Sequence, residues 1–281
     1  ASVSNINISG VVNGPAIVIG NSNVTMNQIA IQNVALGIDI YDGSEVTMAG
    51  VQGSNFTSGP ALMVNESDLS LSGSNLNGGV SPGITINWDS NVEMSDTSVI
   101  NFAAMGITVS DSTLNGIGLD ISKNLLGITN SGSIIIKDSK IRDNAIIGVA
   151  HGGEGTFQIS NSLISGNGIA GADSGGTYPL EASGNYWGDP TGPFHDSLNP
   201  GGLGDVVMGN VNFTPWLSEY CEENCHSNIM FLPGIMASRL YDGEEQLWEP
   251  GILTKDSEFE PLYLDSAGNS INPDISTKDV L

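Results

Sequence analysis

A short apolar pattern returns along most of this chain at an interval near 22 residues. It reads Ser22-Asn-Val-Thr-Met26, Ser44-Glu-Val-Thr-Met48, Ser67-Asp-Leu-Ser-Leu71 and Ser90-Asn-Val-Glu-Met94, then Ser112-Thr-Leu114, Ser133-Ile-Ile-Ile136 and Thr156-Phe-Gln-Ile159. With Val24, Val46, Leu69, Val92, Leu114, Ile134 and Phe157 as one position, the successive intervals are 22, 23, 23, 22, 20 and 23. One such repeat cannot bury its apolar face alone. Stacking neighbours bury it together, so a sustained period of this kind dictates a solenoid.

Inside each repeat the apolar residues alternate. Val24/Met26, Val46/Met48, Leu69/Leu71 and Val92/Met94 are i, i+2 pairs, the period of a strand with one buried face. A second strand follows in the same repeat: Gly37-Ile-Asp-Ile40, Ala61-Leu-Met-Val64, Gly83-Ile-Thr-Ile86 and Gly106-Ile-Thr-Val109. Glycine and asparagine fill the corners. No segment has helical period, and the fixed leucine frame of a leucine-rich repeat is missing. The expectation is an all-β parallel β-helix with roughly eight coils over residues 1–184. Asn101, Asn124, Asn144 and Asn167, at intervals of 23, 20 and 23, read as a ladder at one corner. A buried corner leaves backbone groups unpaired, and stacked carboxamides bond both them and one another.

Charge narrows the partners. Seven Lys and Arg residues against 31 Asp and Glu give a net charge of −24. That excludes a nucleic-acid binder, which must neutralise phosphates. Hydrophobic residues at 39% still supply a core. No apolar run is long enough to span a membrane. The N-terminus shows no signal peptide, and the chain reads as starting inside a repeat. Cys221 and Cys225, the two cysteines, fit a small local disulfide in an exported protein or a pair of free thiols; only His226 lies beside them, which disfavours a metal site.

The period breaks at Asn185-Tyr-Trp-Gly-Asp-Pro-Thr-Gly-Pro-Phe-His195. This resembles the Asn-x-Trp-Gly-x-x-x-Gly-Pro-x-His segment that ends many bacterial right-handed β-helix repeat regions, and Gly209-Asn-Val-Asn-Phe-Thr-Pro-Trp-Leu217 resembles the strand that follows it. The resemblance implies a right-handed helix over residues 1–217 with a cap at 185–217. Trp187, His195 and Trp216, with Phe194 and Phe213, are then structural groups closing the last coil. A sugar-stacking role is the alternative for Trp187.

Residues 218–228 read as a linker. Ile229-Met-Phe-Leu232 is a continuous apolar run, the mark of a strand buried on both faces, and Pro233-Gly234 ends it. The run Phe231-Leu-Pro-Gly-Ile-Met-Ala-Ser-Arg-Leu240 resembles the first-strand signature of bacterial α/β-hydrolases related to lecithin–cholesterol acyltransferase, with Ala237 where the usual form has glycine. Leu247-Trp-Glu-Pro250 looks like the next element. The resemblance implies that residues 229–281 begin an α/β-hydrolase domain, with Gly234, Ile235 and Met236 contributing to an oxyanion hole. Only 31 residues follow Pro250 (281 minus 250), so a truncated fragment is expected. Gly79-Val-Ser-Pro-Gly83 matches a nucleophile elbow in letters only, because it lies inside the repeat and no histidine follows His226.

The coils themselves offer few chemical groups. Four of the seven basic residues fall there: Lys123, Lys137, Lys140 and Arg142. Asp138, Lys140 and Arg142 share one coil and are binding candidates, beside local ion pairs as the plain account. Trp88, Tyr41 and Phe102 are candidate exposed aromatics for a glycan or cell-surface polymer. The functional expectation is a secreted or cell-surface spacer or binding module of a serine ester hydrolase acting on a lipid or other ester. The alternatives are a glycan- or cell-wall-binding module and, behind it, a polysaccharide lyase or hydrolase working through the coils. No cofactor and no metal ligand set is expected.

Overall fold

The computed structural model describes residues 1–220 throughout and, beyond them, the backbone of Ser238–Asp242, Glu245–Gln246 and Ile275–Val280. The chain divides into a unit Ala1–Tyr220 and a unit Cys221–Leu281.

The first unit is an all-β parallel solenoid, with no helix among the described residues. Eight coils follow one another as residues 2–20, 23–41, 45–65, 68–87, 91–110, 113–130, 133–151 and 157–174. Each typical coil contributes three short strands, as in Glu45–Ala49, Gln52–Phe56 and Leu62–Asn65. From residue 45 onward the first two strands of each coil belong to a sixteen-stranded sheet and the third to a ten-stranded sheet; the first two coils give one strand to each sheet. The larger sheet covers two faces because Asn23–Val34 runs round a corner: its first half pairs with Glu45–Ala49 and its second with Gln52–Phe56.

Register follows the repeat. Val24, Val46, Leu69, Val92, Leu114, Ile134 and Phe157 pair in succession, and the column continues to Leu180 and Val211. A second column runs Gly53, Leu76, Val99, Ile121, Ile141 and Ile164 on the second face. A third runs Ile38, Leu62, Ile84, Ile107, Ile128, Val149 and Ala172 on the third face. Apart from the partly buried Val24, their apolar members are buried and meet along the axis in one continuous core.

Corners are set by backbone conformation. One left-handed column runs Asn33, Asn55, Gly78, Asn101, Lys123, Asp143 and Gly166, and another contains Asp42, Glu66, Asp89 and Asp111. Positive φ is cheapest for Gly and tolerable for Asn and Asp, which is why these residues crowd the corners.

In the second unit, Ser238–Asp242 pairs antiparallel with both Glu245–Gln246 and Ile275–Val280. No hydrolase element is visible among the described residues. Ile229–Leu232, the turn with Gly234, Ile235 and Met236, Leu247–Pro250, Cys221 and Cys225 lie outside them.

The packing predicts a contrast between two neighbouring positions. Leu114 is fully buried, whereas Ile117 in the same strand is 49% exposed. Leu114→Ala is expected to cost about 2–5 kcal/mol in urea denaturation, and Ile117→Ala no more than about 0.5 kcal/mol.

Candidate functional site

Three columns of buried side-chain oxygens line the inside of the corners, and each takes backbone N–H groups from the coil before it. At the corner entering the first face, the amides of Ser22, Ser44, Ser67 and Ser90 donate to the hydroxyls of Ser44, Ser67, Ser90 and Ser112 at 3.1–3.3 Å. At the next corner the amides of Val51, Leu119 and Ser139 donate to Ser74, Ser139 and Ser162 at 3.0 Å each. There Ser162 N–H finds Asn185 Oδ1 at 2.9 Å.

The third column is the asparagine ladder. Asn124 Nδ2 donates to Asn144 Oδ1 at 3.2 Å, and Asn144 Nδ2 to Asn167 Oδ1 at 3.0 Å. The amides of Phe102, Asn124 and Asn144 donate to the Oδ1 atoms of Asn124, Asn144 and Asn167 at 3.0, 3.0 and 3.1 Å. Asn101 is not part of it, which corrects the four-member reading. It stands one position earlier, with φ of 62°, and its exposed carboxamide donates to Asn77 Oδ1 at 2.8 Å. The residue above Asn124 is Phe102, which is 1% exposed and stacks on Phe56 with ring centroids 6.2 Å apart. Phe102 is therefore core and offers nothing to a glycan. Gly79 lies between the two rings, where a Cβ would stand 2.9 Å from the Phe102 ring and 3.1 Å from Phe56 Cβ.

The cap ends these columns one by one. Asn185, fully buried, closes the serine column and donates to the carbonyls of Ile159 and Ala182 at 2.7 Å each. Asp205 closes the asparagine ladder, accepting from Gly166 N, Asn167 N and Asn167 Nδ2 at 2.8–3.0 Å. Burial raises the Asp205 carboxyl above its ordinary value, and the hydrogen bonds from Asn167 and Gly166 offset part of that. Trp187 has no exposed surface, so sugar stacking is ruled out for it and its indole plugs the interior. Trp216 lies over Gly192 and near Phe213, and its Nε1 donates to Pro190 O at 3.3 Å. His195 sits 5.5 Å from the Phe213 ring, and its Nδ1 accepts from Leu198 N at 3.1 Å.

Two zones carry chemistry on the outside. Arg142 pairs with Asp120 at 2.9 Å and approaches Asp143 at 3.8 Å. Lys140 is registered beside Asp120 on the neighbouring coil, while Asp138 lies at the corner and accepts from Asn161. Asp138, Lys140 and Arg142 thus share a coil without converging on one point. Among the described residues, no group of three His, Cys, Asp or Glu side chains is placed to hold a metal ion. Ser81 is a corner residue whose hydroxyl donates to Ser58 O at 2.9 Å, and no helix follows it.

The other zone is the Trp88 corner. Trp88 and Asp89 both have positive φ, 56° and 57°, which turns the indole out of the rod and leaves it 59% exposed. Glu66, Trp88, Asp89 and Asp111 line a shallow depression of about 430 Å³. Glu66, Asp89 and Asp111 are left-handed residues of one corner in successive coils, about 4.8 Å apart. Tyr41, 40% exposed, lies over Gly20.

The family described as "Right handed beta helix region" matches residues 1–126. The coils are a right-handed parallel β-helix. Among solved structures, the crystal structure of pectate lyase Pel9A aligns with a TM-score of 0.45 at 10% identity, over 97% of this chain and 81% of that one. Comparison with curated proteins finds no match. No helix among the described residues is long and apolar enough to cross a membrane.

Sequence reasoning missed Asn185 and Asp205 as column ends, and His151 entirely. The signal for His151 was present: Ile40, Val64, Ile86 and Val109 give way at the same inward position to Asn130, His151 and Ser174.

The ladder generates a test. Asn144→Ala leaves the Asn124 amide without its acceptor and the Ile121 carbonyl without its donor. A loss of about 2–4 kcal/mol in denaturant unfolding is expected, against less than about 1 kcal/mol for Asn101→Ala.

Proposed function

We propose that residues 1–217 are a glycan-binding module of a secreted or cell-surface protein, with the polymer seated at the Trp88 corner. The observation that supports this is the pairing of an exposed indole with three carboxylates across adjacent coils. An indole face stacks on the apolar face of a sugar ring, and carboxylates accept hydrogen bonds from its hydroxyls. No lysine or arginine lines the depression, and the chain carries a net charge of −24. Such a site repels a polyuronate and suits a neutral polymer or, better, an amino-sugar polymer whose ammonium groups gain from both carboxylates and indole.

The second part of the proposal concerns the parent. The resemblance of Phe231–Leu240 and Leu247–Pro250 supports a serine ester hydrolase similar to lecithin–cholesterol acyltransferase, acting on a lipid or other ester. In it the coils hold the catalytic domain against the polymer.

Retention on chitosan, chitin, cellulose and polygalacturonate tests the first part. The expectation is binding to chitosan or chitin and none to polygalacturonate. Trp88→Ala should weaken binding about tenfold, near 1.4 kcal/mol. No retention on any polymer, or retention indifferent to Trp88→Ala, overturns it. For the second part, this chain is expected to show no turnover of a p-nitrophenyl ester. Turnover abolished by Ser81→Ala would refute that expectation.

A further inference from the structure

His151 is 2% exposed and points into the rod, at the place where Ile86 and Val109 sit in earlier coils. Its proton is fixed by its neighbours. Gly155, stacked on Gly132 in the next coil, lacks the hydroxyl that the serine column supplies elsewhere, so the Gly132 amide donates instead to Asn130 Oδ1 at 2.7 Å. That bond orients the Asn130 carboxamide, whose Nδ2 then donates to Gly132 O at 3.0 Å and faces His151 Nδ1 at 3.3 Å. Facing a donor, Nδ1 must accept. The neutral ring therefore carries its hydrogen on Nε2, which finds no partner of hydrogen-bond geometry. Phe157 presses edge-on against the ring at 6.1 Å.

We propose that His151 is an acid-operated latch: its protonation sets two donors against each other inside the rod and opens coils 6 to 8, while the coils before them stay closed. An imidazolium here has a hydrogen on Nδ1 opposed to Asn130 Nδ2, and a charge buried without a counterion. The titratable side chains on the elements packed against it are Glu154, exposed in the following loop, and Asp173, on the outward register one residue before Ser174. Neither bonds to the ring. Burial lowers the His151 pKa below the ordinary 6.5, and the carbonyls of Asn130 and Gly155 offset part of this. The unfolded chain therefore takes up the proton first. Stability tied to His151 is fully present above about 6.5 and declines as the pH falls from there through the folded value. Opening is local because each coil of a solenoid contacts only its neighbours.

Amide hydrogen exchange at about pH 7.5 and about pH 5, corrected for intrinsic rates, reads this directly. Protection in residues 113–174 should fall about tenfold or more at the lower pH, with less than about twofold change in residues 23–110. His151→Val, which restores the residue type of Val109, should abolish the pH effect. If that variant does not fold, NMR titration of the wild type decides, since the chain has three histidines. The latch predicts an Nε2-protonated His151 at neutral pH that titrates below the ordinary value together with the loss of protection. Unchanged protection, an equal loss in His151→Val, or a ring that titrates at or above the ordinary value without loss of protection overturns it.

Discussion

Every corner of this rod turns backbone N–H groups toward an apolar core, and the rest of the architecture answers that constraint. An unpaired buried amide costs roughly as much as a single hydrogen bond contributes, so it recurs at each coil unless a side chain intervenes. Serine serves at two corners and asparagine at the third, each placed so that its oxygen meets the amide of the coil before. These side chains therefore act between coils rather than within one. The same contacts that satisfy the turns also set the stacking register, so the apolar columns align as a consequence.

A column of this kind has to end, and the cap is built around its ends. Asn185 replaces the hydroxyl of the serine column with a longer side chain that reaches two carbonyls as well. Asp205 substitutes a carboxylate for the next asparagine and accepts from both Gly166 and Asn167. Its burial is the cost of closing the ladder with an acceptor that needs no further donor of its own. Trp187 then fills the interior below Ile164, at the place where a ninth coil's aliphatic residue would sit.

The solenoid, its period and its core column were legible in the sequence because identical physical demands recur every coil, and Val24 through Phe157 mark one inward position without ambiguity. The exact members of a corner column were less legible. Asn101 and Asn124 are both asparagines at a plausible interval, but a shift of one residue moves a side chain from the buried ladder to the exposed left-handed position. Phe102 looked like a free aromatic for the same reason; only the register shows that it continues the column that becomes Asn124. Trp88 is the opposite case, since two consecutive positive-φ residues expel it from a position that the alternation alone does not mark.

The interior and the exterior of this rod therefore divide the work. Apolar columns and oxygen ladders leave the outer residues free of any packing duty, so a corner can carry Glu66, Asp89 and Asp111 in successive coils although like charges repel. Their mutual repulsion is tolerable because solvent and salt screen it. The inside is less forgiving. The hydroxyl missing at Gly155 is replaced by Asn130, which takes the Gly132 amide, and that replacement commits His151 to a single tautomer. About three coils, near 14 Å at the strand spacing, separate that histidine from Trp88. In a structure coupled only through nearest neighbours, stress at the histidine is spent on coils 6 to 8 before it reaches the indole.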